Sequence, residues 1–295
     1  MKLSKSHFAD ASLLLVTIFW ASAYFLIKDI QQTGSAITLL CYRLGLAAVI
    51  LGIVLFFKKI PLFQNFKYGL CLGLVLWATD VPQSIGLNFT KASNTAFIIG
   101  LFVIFLPFFN YFLAKKLLNV KNFVSITIAV IGLWILTGGV RNANLGDWLN
   151  LISALAVAAH VFFTDKFVRQ NVNVFSLAFQ EFLVVAVLCF FTAIIFRLPF
   201  SIGNHSNYWG IIYLAIFANL FAYVIQNIAQ KHTSTIRVAL IFLLEPAIAG
   251  VFAWTLGHEP FIAARAFGGL LIFIGMIISQ LPIEKWFLDK SLTIE

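Results

Sequence analysis

The stretch ASNTAFIIGLFVIFLPFFNYFLA, residues 92–114, contains no charged side chain and lies between Lys91 and Lys115. Its 23 residues are enough for one helical crossing of a bilayer, which takes about 20 apolar residues. A helix also satisfies its own backbone hydrogen bonds in lipid, where no water is present to do so. The stretch therefore predicts a membrane-spanning helix, with Pro107 in its interior.

Nine further apolar runs of similar length complete a predicted set of ten helices. The first half adds 8–30, 36–57, 66–88 and 122–138, and the second half contains 147–167, 174–196, 208–229, 235–256 and 261–281. The predicted fold class is all-α integral membrane, with ten transmembrane helices.

Composition excludes a soluble fold. The chain is 61% hydrophobic and 11% charged, whereas soluble domains have about 25% charged residues. The net charge of +9 does not indicate nucleic-acid binding, because the basic residues form short clusters between apolar runs. The three cysteines all lie within those runs and indicate neither a disulfide framework nor a metal site.

The basic clusters predict the orientation of the chain. With a cytoplasmic N-terminus and ten crossings, fourteen of the twenty Lys and Arg residues fall on the cytoplasmic side. The positive-inside rule then places both termini in the cytoplasm. The predicted location is the bacterial inner (cell) membrane, with multiple passes.

The two halves of the sequence repeat one another. Arg43 and Glu181 are 138 positions apart, and Pro107 and Pro246 are 139 apart. Residues 1–142 form the first predicted five-helix repeat, residues 143–283 the second, and residues 284–295 a cytoplasmic tail. Because five is odd, the second repeat enters the membrane inverted, an arrangement found in transporters that alternate access around a central site.

The last two predicted helices carry a family signature. Leu244-Glu245-Pro246, Leu256-Gly257-His258-Glu259, Gly268-Gly269 and Gly275 closely resemble the closing signature of EamA-type transporters of the drug/metabolite transporter superfamily. The first half carries a weaker form, since Leu106 and Val120 stand where the second half has Glu245 and Glu259. The resemblance implies a ten-helix fold, a cavity lined by helices one to four and six to nine, and export of amino acids or related metabolites.

Polar residues inside the predicted helices indicate a central site. Such residues cost about 2.5 to 3.5 kcal/mol at membrane depth, so they face a cavity or one another. Asp80 and Gln83 follow Trp77 at three-residue spacing on helix three, and helix eight carries Asn219, Tyr223 and Gln226 on one face. Interhelical hydrogen bonding is the alternative to a cavity.

Four charged or titratable residues have two interpretations each, with Arg43 and Glu181 considered together. Arg43 and Glu181 either form a structural or gating ion pair or contact substrate separately, and inverted symmetry could place them at different depths. Glu245, next to Pro246, is the best-placed proton carrier, or it is hydrogen-bonded into a proline kink. His160 is a titrating group or a packing residue.

Aromatic residues could line the pathway for an apolar or cationic substrate, although packing is the alternative for Phe97. The predicted substrate-binding residues are Trp20, Tyr24, Arg43, Trp77, Asp80, Gln83, Asn94, Phe97, His160, Glu181, Asn219 and Tyr223. The predicted proton-coupling residues are Glu245 and Asp80.

The predicted function is secondary transport. The nucleotide motif GxxxxGK[ST] does not occur in the sequence, so ion or substrate gradients are expected to supply the energy. No cofactor or metal is expected. The expected partners are the lipid bilayer and a small-molecule substrate, a zwitterionic amino acid or relative, and the protein is expected to be a monomer or homodimer. Alternatives are an importer of host or environmental metabolites, an intramembrane enzyme and a non-transporting scaffold.

Overall fold

The computed structural model describes residues 5–115, 120–139, 142–170, 172–232 and 235–280. The predicted tail, 284–295, lies outside these ranges. The described part is helical, and a π-helical segment, Leu214–Phe221, joins α9 to α10. The α-helices are α1 (Lys5–Gln31), α2 (Ala36–Phe57), α3 (Phe66–Gly86), α4 (Ala92–Gly100), α5 (Phe102–Ala114), α6 (Val120–Thr137), α7 (Leu145–Val168), α8 (Val174–Ile195), α9 (His205–Tyr213), α10 (Ala222–His232), α11 (Thr235–Phe242), α12 (Leu244–Thr255) and α13 (Ala263–Gln280).

Within the described residues, seven helical stretches are long and apolar enough to cross a membrane. They are Phe8–Gln31, Ala36–Phe57, Ala92–Leu113, Leu145–Val168, Val174–Ile195, His205–His232 and Arg237–Thr255. Phe123–Thr137 and Ala263–Ile278 are shorter apolar helices. Each of the ten predicted spans coincides with helical structure, while ten crossings and inverted halves stay predictions.

Three spans predicted as continuous helices are interrupted. Leu101 separates α4 from α5, Leu243 separates α11 from α12, and the π-helical segment lies within the eighth span. The break at Leu243 lies within one turn before Pro246, because a proline has no N–H and its ring crowds the preceding turn. The break at Leu101 follows Gly100 and lies six residues before Pro107, which is itself inside α5. Hydrophobic periodicity does not reveal such breaks, since the apolar residues continue through them.

The two halves pack together through matching helices. The pairs α2 with α8, α4 with α12 and α6 with α13 each join corresponding spans of the two halves. Other contacts occur in reciprocal form: α3 packs on α7 as α1 packs on α10, and α4 packs on α7 as α1 packs on α12. The centre of the molecule therefore lies between the halves.

A glycine seam brings α6 and α13 into backbone contact. A Cβ atom on Gly268 would lie 2.5 Å from the backbone nitrogen of Leu136, and one on Gly132 would lie 2.7 Å from the carbonyl oxygen of Gly268. Gly275 approaches α6 in the same way, since its Cβ would lie 2.8 Å from the carbonyl oxygen of Ser125. Small residues are typical of closely packed membrane helices.

Candidate functional site

A central cavity lies between the two halves. Water-sized molecules can enter about 70 Å³ of it, which is room for several waters. Nine of the predicted site residues line it: Trp20, Tyr24, Arg43, Asp80, Gln83, His160, Asn219, Tyr223 and Glu245. The wall also includes Gln226, from the predicted polar stripe, and Thr79, Phe102 and Phe242, which the sequence did not single out.

The broken spans cross beside this cavity. Gly100, at the end of α4, lies against Pro246 in the first turn of α12, and a Cβ at this glycine would lie 2.7 Å from the proline Cγ. Both residues contribute to the cavity wall. A glycine is required here because any larger residue would push the two spans apart.

Arg43 pairs with Asp80 rather than with Glu181. The Arg43 Nη2 atom donates to Asp80 Oδ2 at 3.0 Å, and both side chains are buried. Of the two interpretations of Arg43 and Glu181, the ion pair between them is therefore wrong. Helical periodicity places Arg43 on the inner face of α2, but it does not say which neighbouring helix supplies its partner. The Nε atom of Arg43 remains without a hydrogen-bond partner among the described residues.

Glu181 lies behind the cavity wall and not in it. Its side chain is wholly buried, with Oε2 3.2 Å from His160 Nε2 and Oε1 accepting a hydrogen bond from Asn227 Nδ2 at 3.4 Å. His160 itself faces the cavity. Glu181 thus orients the imidazole and does not contact the cavity contents directly.

Glu245 has a neutral partner. Its Oε1 atom accepts a hydrogen bond of 2.6 Å from the hydroxyl of Tyr24, and both residues are buried in the cavity wall. Among the described residues no Lys or Arg nitrogen lies within ion-pairing distance of this carboxyl group. Glu245 is therefore a buried acid whose charge, when present, has no fixed cation beside it.

An aromatic cluster forms part of the wall. The Trp20 ring lies 5.3 Å from the Tyr223 ring and 5.0 Å from the Phe242 ring, measured between centroids. The indole N–H of Trp20 donates to the carbonyl oxygen of Ala218 at 2.9 Å. This bond fixes α1 to the π-helical segment and holds the indole ring in place.

Besides Glu181, three predicted site residues lie outside the cavity wall. Trp77 packs in the apolar core between α2, α3 and α8. Asn94 and Phe97 line a separate small pocket, and the Phe97 ring fits against Gly269, where a Cβ would lie 2.8 Å from it. Phe97 is therefore a packing residue, as the alternative interpretation held.

A second polar cluster holds the start of α4. Glu259 Oε1 accepts from the Ala92 N–H at 2.6 Å, and its Oε2 accepts from the Ser93 hydroxyl at 2.7 Å. Lys28 Nζ donates to the Thr90 carbonyl oxygen. A carboxylate at a helix N-terminus satisfies free N–H groups and the helix dipole, so Glu259 has a structural task outside the cavity.

Comparison with known proteins identifies the family. The model of the EamA-like transporter family matches the chain twice, over residues 7–138 and again over 144–280. The chain belongs to this family. This chain is 26% identical over 279 residues to an uncharacterized transporter of Archaeoglobus fulgidus, and the match covers 95% of this chain and 88% of the relative.

Two further relatives also match this chain over most of their length. The uncharacterized transporter YyaM of Bacillus subtilis is 23% identical, over 91% of this chain and 92% of the relative. The S-adenosylmethionine/S-adenosylhomocysteine transporter of Chlamydia muridarum is 22% identical, over 90% and 88%. A solved crystal structure matches the fold with a TM-score of 0.69 at 14% identity, covering 97% of this chain and 98% of that one.

Proposed function

We propose that this membrane transporter exports a small metabolite with an ammonium group, an amino acid or related zwitterion, in exchange for protons. The observation that carries the proposal is Glu245, an acid buried in the cavity wall whose partner is the neutral Tyr24 hydroxyl. An isolated charge at such a site is costly. The carboxyl group therefore holds either a proton or the ammonium group of a substrate, and the two compete.

The other charged groups near the cavity already have partners. Asp80 pairs with Arg43 in the cavity wall, and Glu181 contacts His160 from behind the wall. Arg43 still has its Nε donor without a partner among the described residues, and a substrate carboxylate bound at Arg43 would supply one. A zwitterion thus fits with its ammonium group toward Glu245 and its carboxylate toward Arg43.

Alternating access between two inverted five-helix repeats, 1–142 and 143–283, completes the proposal. Two observations support it: the family model matches each half separately, and the helices of the two halves pack in reciprocal pairs. We propose that both termini lie on the cytoplasmic side of the inner membrane. A reporter that is active only in the cytoplasm, fused to each terminus in turn, measures this orientation. An inactive reporter at either terminus, with an externally active reporter working there, would contradict it.

The names of the relatives support transport over an enzyme or a scaffold. Three of them are transporters by name, and the Chlamydia muridarum relative carries substrates that contain an amino-acid end. We therefore place an amino-acid group among the features that the cavity of this chain recognises.

The test is transport in liposomes that contain the purified protein. Labelled amino acids and related metabolites are offered with and without a pH gradient, and exchange of labelled for unlabelled substrate is measured separately. We expect saturable transport that the gradient accelerates. Glu245→Gln should abolish the acceleration by the gradient while substrate exchange continues, because the amide keeps the hydrogen bond to Tyr24 but cannot release a proton.

Asp165→Asn is the matched control, since Asp165 is a carboxylate that pairs with Arg169 away from the cavity. This variant should transport like the wild type. Undiminished gradient-driven transport by Glu245→Gln would remove Glu245 as the proton carrier. Absence of uptake for the whole panel, by folded protein, would refute amino-acid transport.

A further inference from the structure

Two buried amide side chains in the cavity wall have an oxygen atom without a hydrogen-bond partner in the described part of the chain. Asn219 is 2% exposed and Gln226 is 1% exposed, and both line the cavity. The oxygen atoms Asn219 Oδ1 and Gln226 Oε1 accept no hydrogen bond from any residue within the described ranges. A buried polar group left unpaired is costly, and a polar group of a bound molecule would relieve that cost for these two amides of the cavity wall.

The local backbone sets these amides in place. Asn219 lies in the π-helical segment, and Gln226 lies two turns further on in α10, with Tyr223 between them on the same wall. π-helical turns are rare and frequently lie at functional sites. The hydrogen bond from Trp20 to Ala218 holds the segment, and the Trp20 and Tyr223 rings pack 5.3 Å apart beside the amides.

The chemistry of an amide defines what it can bind. Each carboxamide presents an acceptor oxygen beside an N–H donor, and it pairs in two-point fashion with a group that has the opposite arrangement, as Asn and Gln do with adenine. A simple ammonium or carboxylate group satisfies only one side of such an amide. The aromatic rings beside the amides supply a flat apolar surface for a planar group.

We propose that Asn219 and Gln226 form a subsite for an uncharged planar group that carries an N–H donor beside an acceptor. A primary carboxamide and an amino-substituted heteroaromatic ring are groups of this class. The proposal rests on the proposed function, because this group is the second recognition element of a substrate whose charged end faces Arg43 and Glu245.

The experiment measures binding and not transport, so that the two proposals fail separately. Thermal unfolding of the full-length protein in detergent is followed with two matched ligand pairs, glutamine with methionine and adenosine with purine riboside. The second member of each pair has similar size but lacks the donor–acceptor edge. We expect the first member to bind at least tenfold more tightly, judged from the ligand concentration at half-maximal stabilisation.

Variants assign the preference to the amides. Asn219→Leu and Gln226→Met should each reduce the preference at least fivefold, by weakening binding of glutamine and adenosine. Gln230→Met is the matched control: Gln230 is a buried amide one turn further along α10, also with an unpartnered oxygen, but it is not in the cavity wall. Its substitution should leave the preference unchanged.

The comparison of the two ligand pairs with the wild-type protein tests the subsite even where a variant does not fold. Equal binding within both pairs, or stabilisation by none of the four ligands, would overturn the subsite, as would a preference that survives in folded Asn219→Leu and Gln226→Met. Gradient-driven transport without a binding preference for glutamine and adenosine would refute the subsite and leave the proposed function standing. Binding with this preference but without any transport would refute the proposed function and leave the subsite standing.

Discussion

Removal of the Asp80 charge should destabilise the protein by leaving Arg43 charged and alone. The two side chains form an ion pair of 3.0 Å, and each is only 5% exposed. A buried cation whose partner is removed keeps the full cost of its lost hydration. Asp80→Asn therefore tests whether the two residues act as one unit.

The expected loss follows from this burial. Breaking a buried pair on one side costs about 3 to 5 kcal/mol, and we expect about 3 kcal/mol for Asp80→Asn because water in the cavity can solvate the remaining guanidinium. Arg43→Gln should cost a similar amount. The double variant leaves two neutral amides that can bond to each other, so it should cost less than either single variant, about 1 kcal/mol.

The assay is unfolding in mixed micelles with rising sodium dodecyl sulfate, followed by the fluorescence of the seven tryptophans. Asp165→Asn is the control, because its pair with Arg169 is partly exposed at 22% and 49% and should contribute less than about 1 kcal/mol. If the losses of the two single variants simply add in the double variant, Arg43 and Asp80 are not coupled and the reasoning fails.

Two further predictions concern packing and helix ends. Gly268→Ala should destabilise the protein by about 1 to 3 kcal/mol, because its Cβ would lie 2.5 Å from the Leu136 backbone. The control Gly45→Ala, whose Cβ has its nearest neighbour at 3.8 Å, should be neutral. Equal effects of the two substitutions in the same micelle assay would contradict close backbone packing at the glycine seam. Glu259→Ala should cost about 2 kcal/mol and increase hydrogen exchange at Ser93, at the start of α4; unchanged exchange there would exclude Glu259 as the cap.

The sequence predicted the helical elements and nine of the residues in the cavity wall. Long apolar runs are a strong signal, because a membrane helix has few alternatives. Trp20, Asp80 and Asn219 were correctly placed on inner faces, since a polar or aromatic stripe at helical spacing defines a direction. The same reasoning placed Trp77 on that face wrongly, because a residue three positions from Asp80 is rotated enough to reach the neighbouring core.

Other features depend on contacts between distant segments. Arg43 could have met any acid on a facing helix, and only the packing of α2 beside α3 assigns it to Asp80. The π-helical segment that holds Asn219 is invisible to periodicity, because its residues remain apolar on most sides. Glu259 stood out in the family signature, but its role as the cap of α4 appears only when the two helix ends meet.

The glycine seam also bears on how the chain is made. A protein is synthesised from its N-terminus, so α6 is made before α7 to α12 and before its main partner, α13. Until α13 follows, the Gly132 face of α6 lacks the backbone that covers it in the folded protein. A chain truncated before Gly268 therefore cannot form the glycine seam.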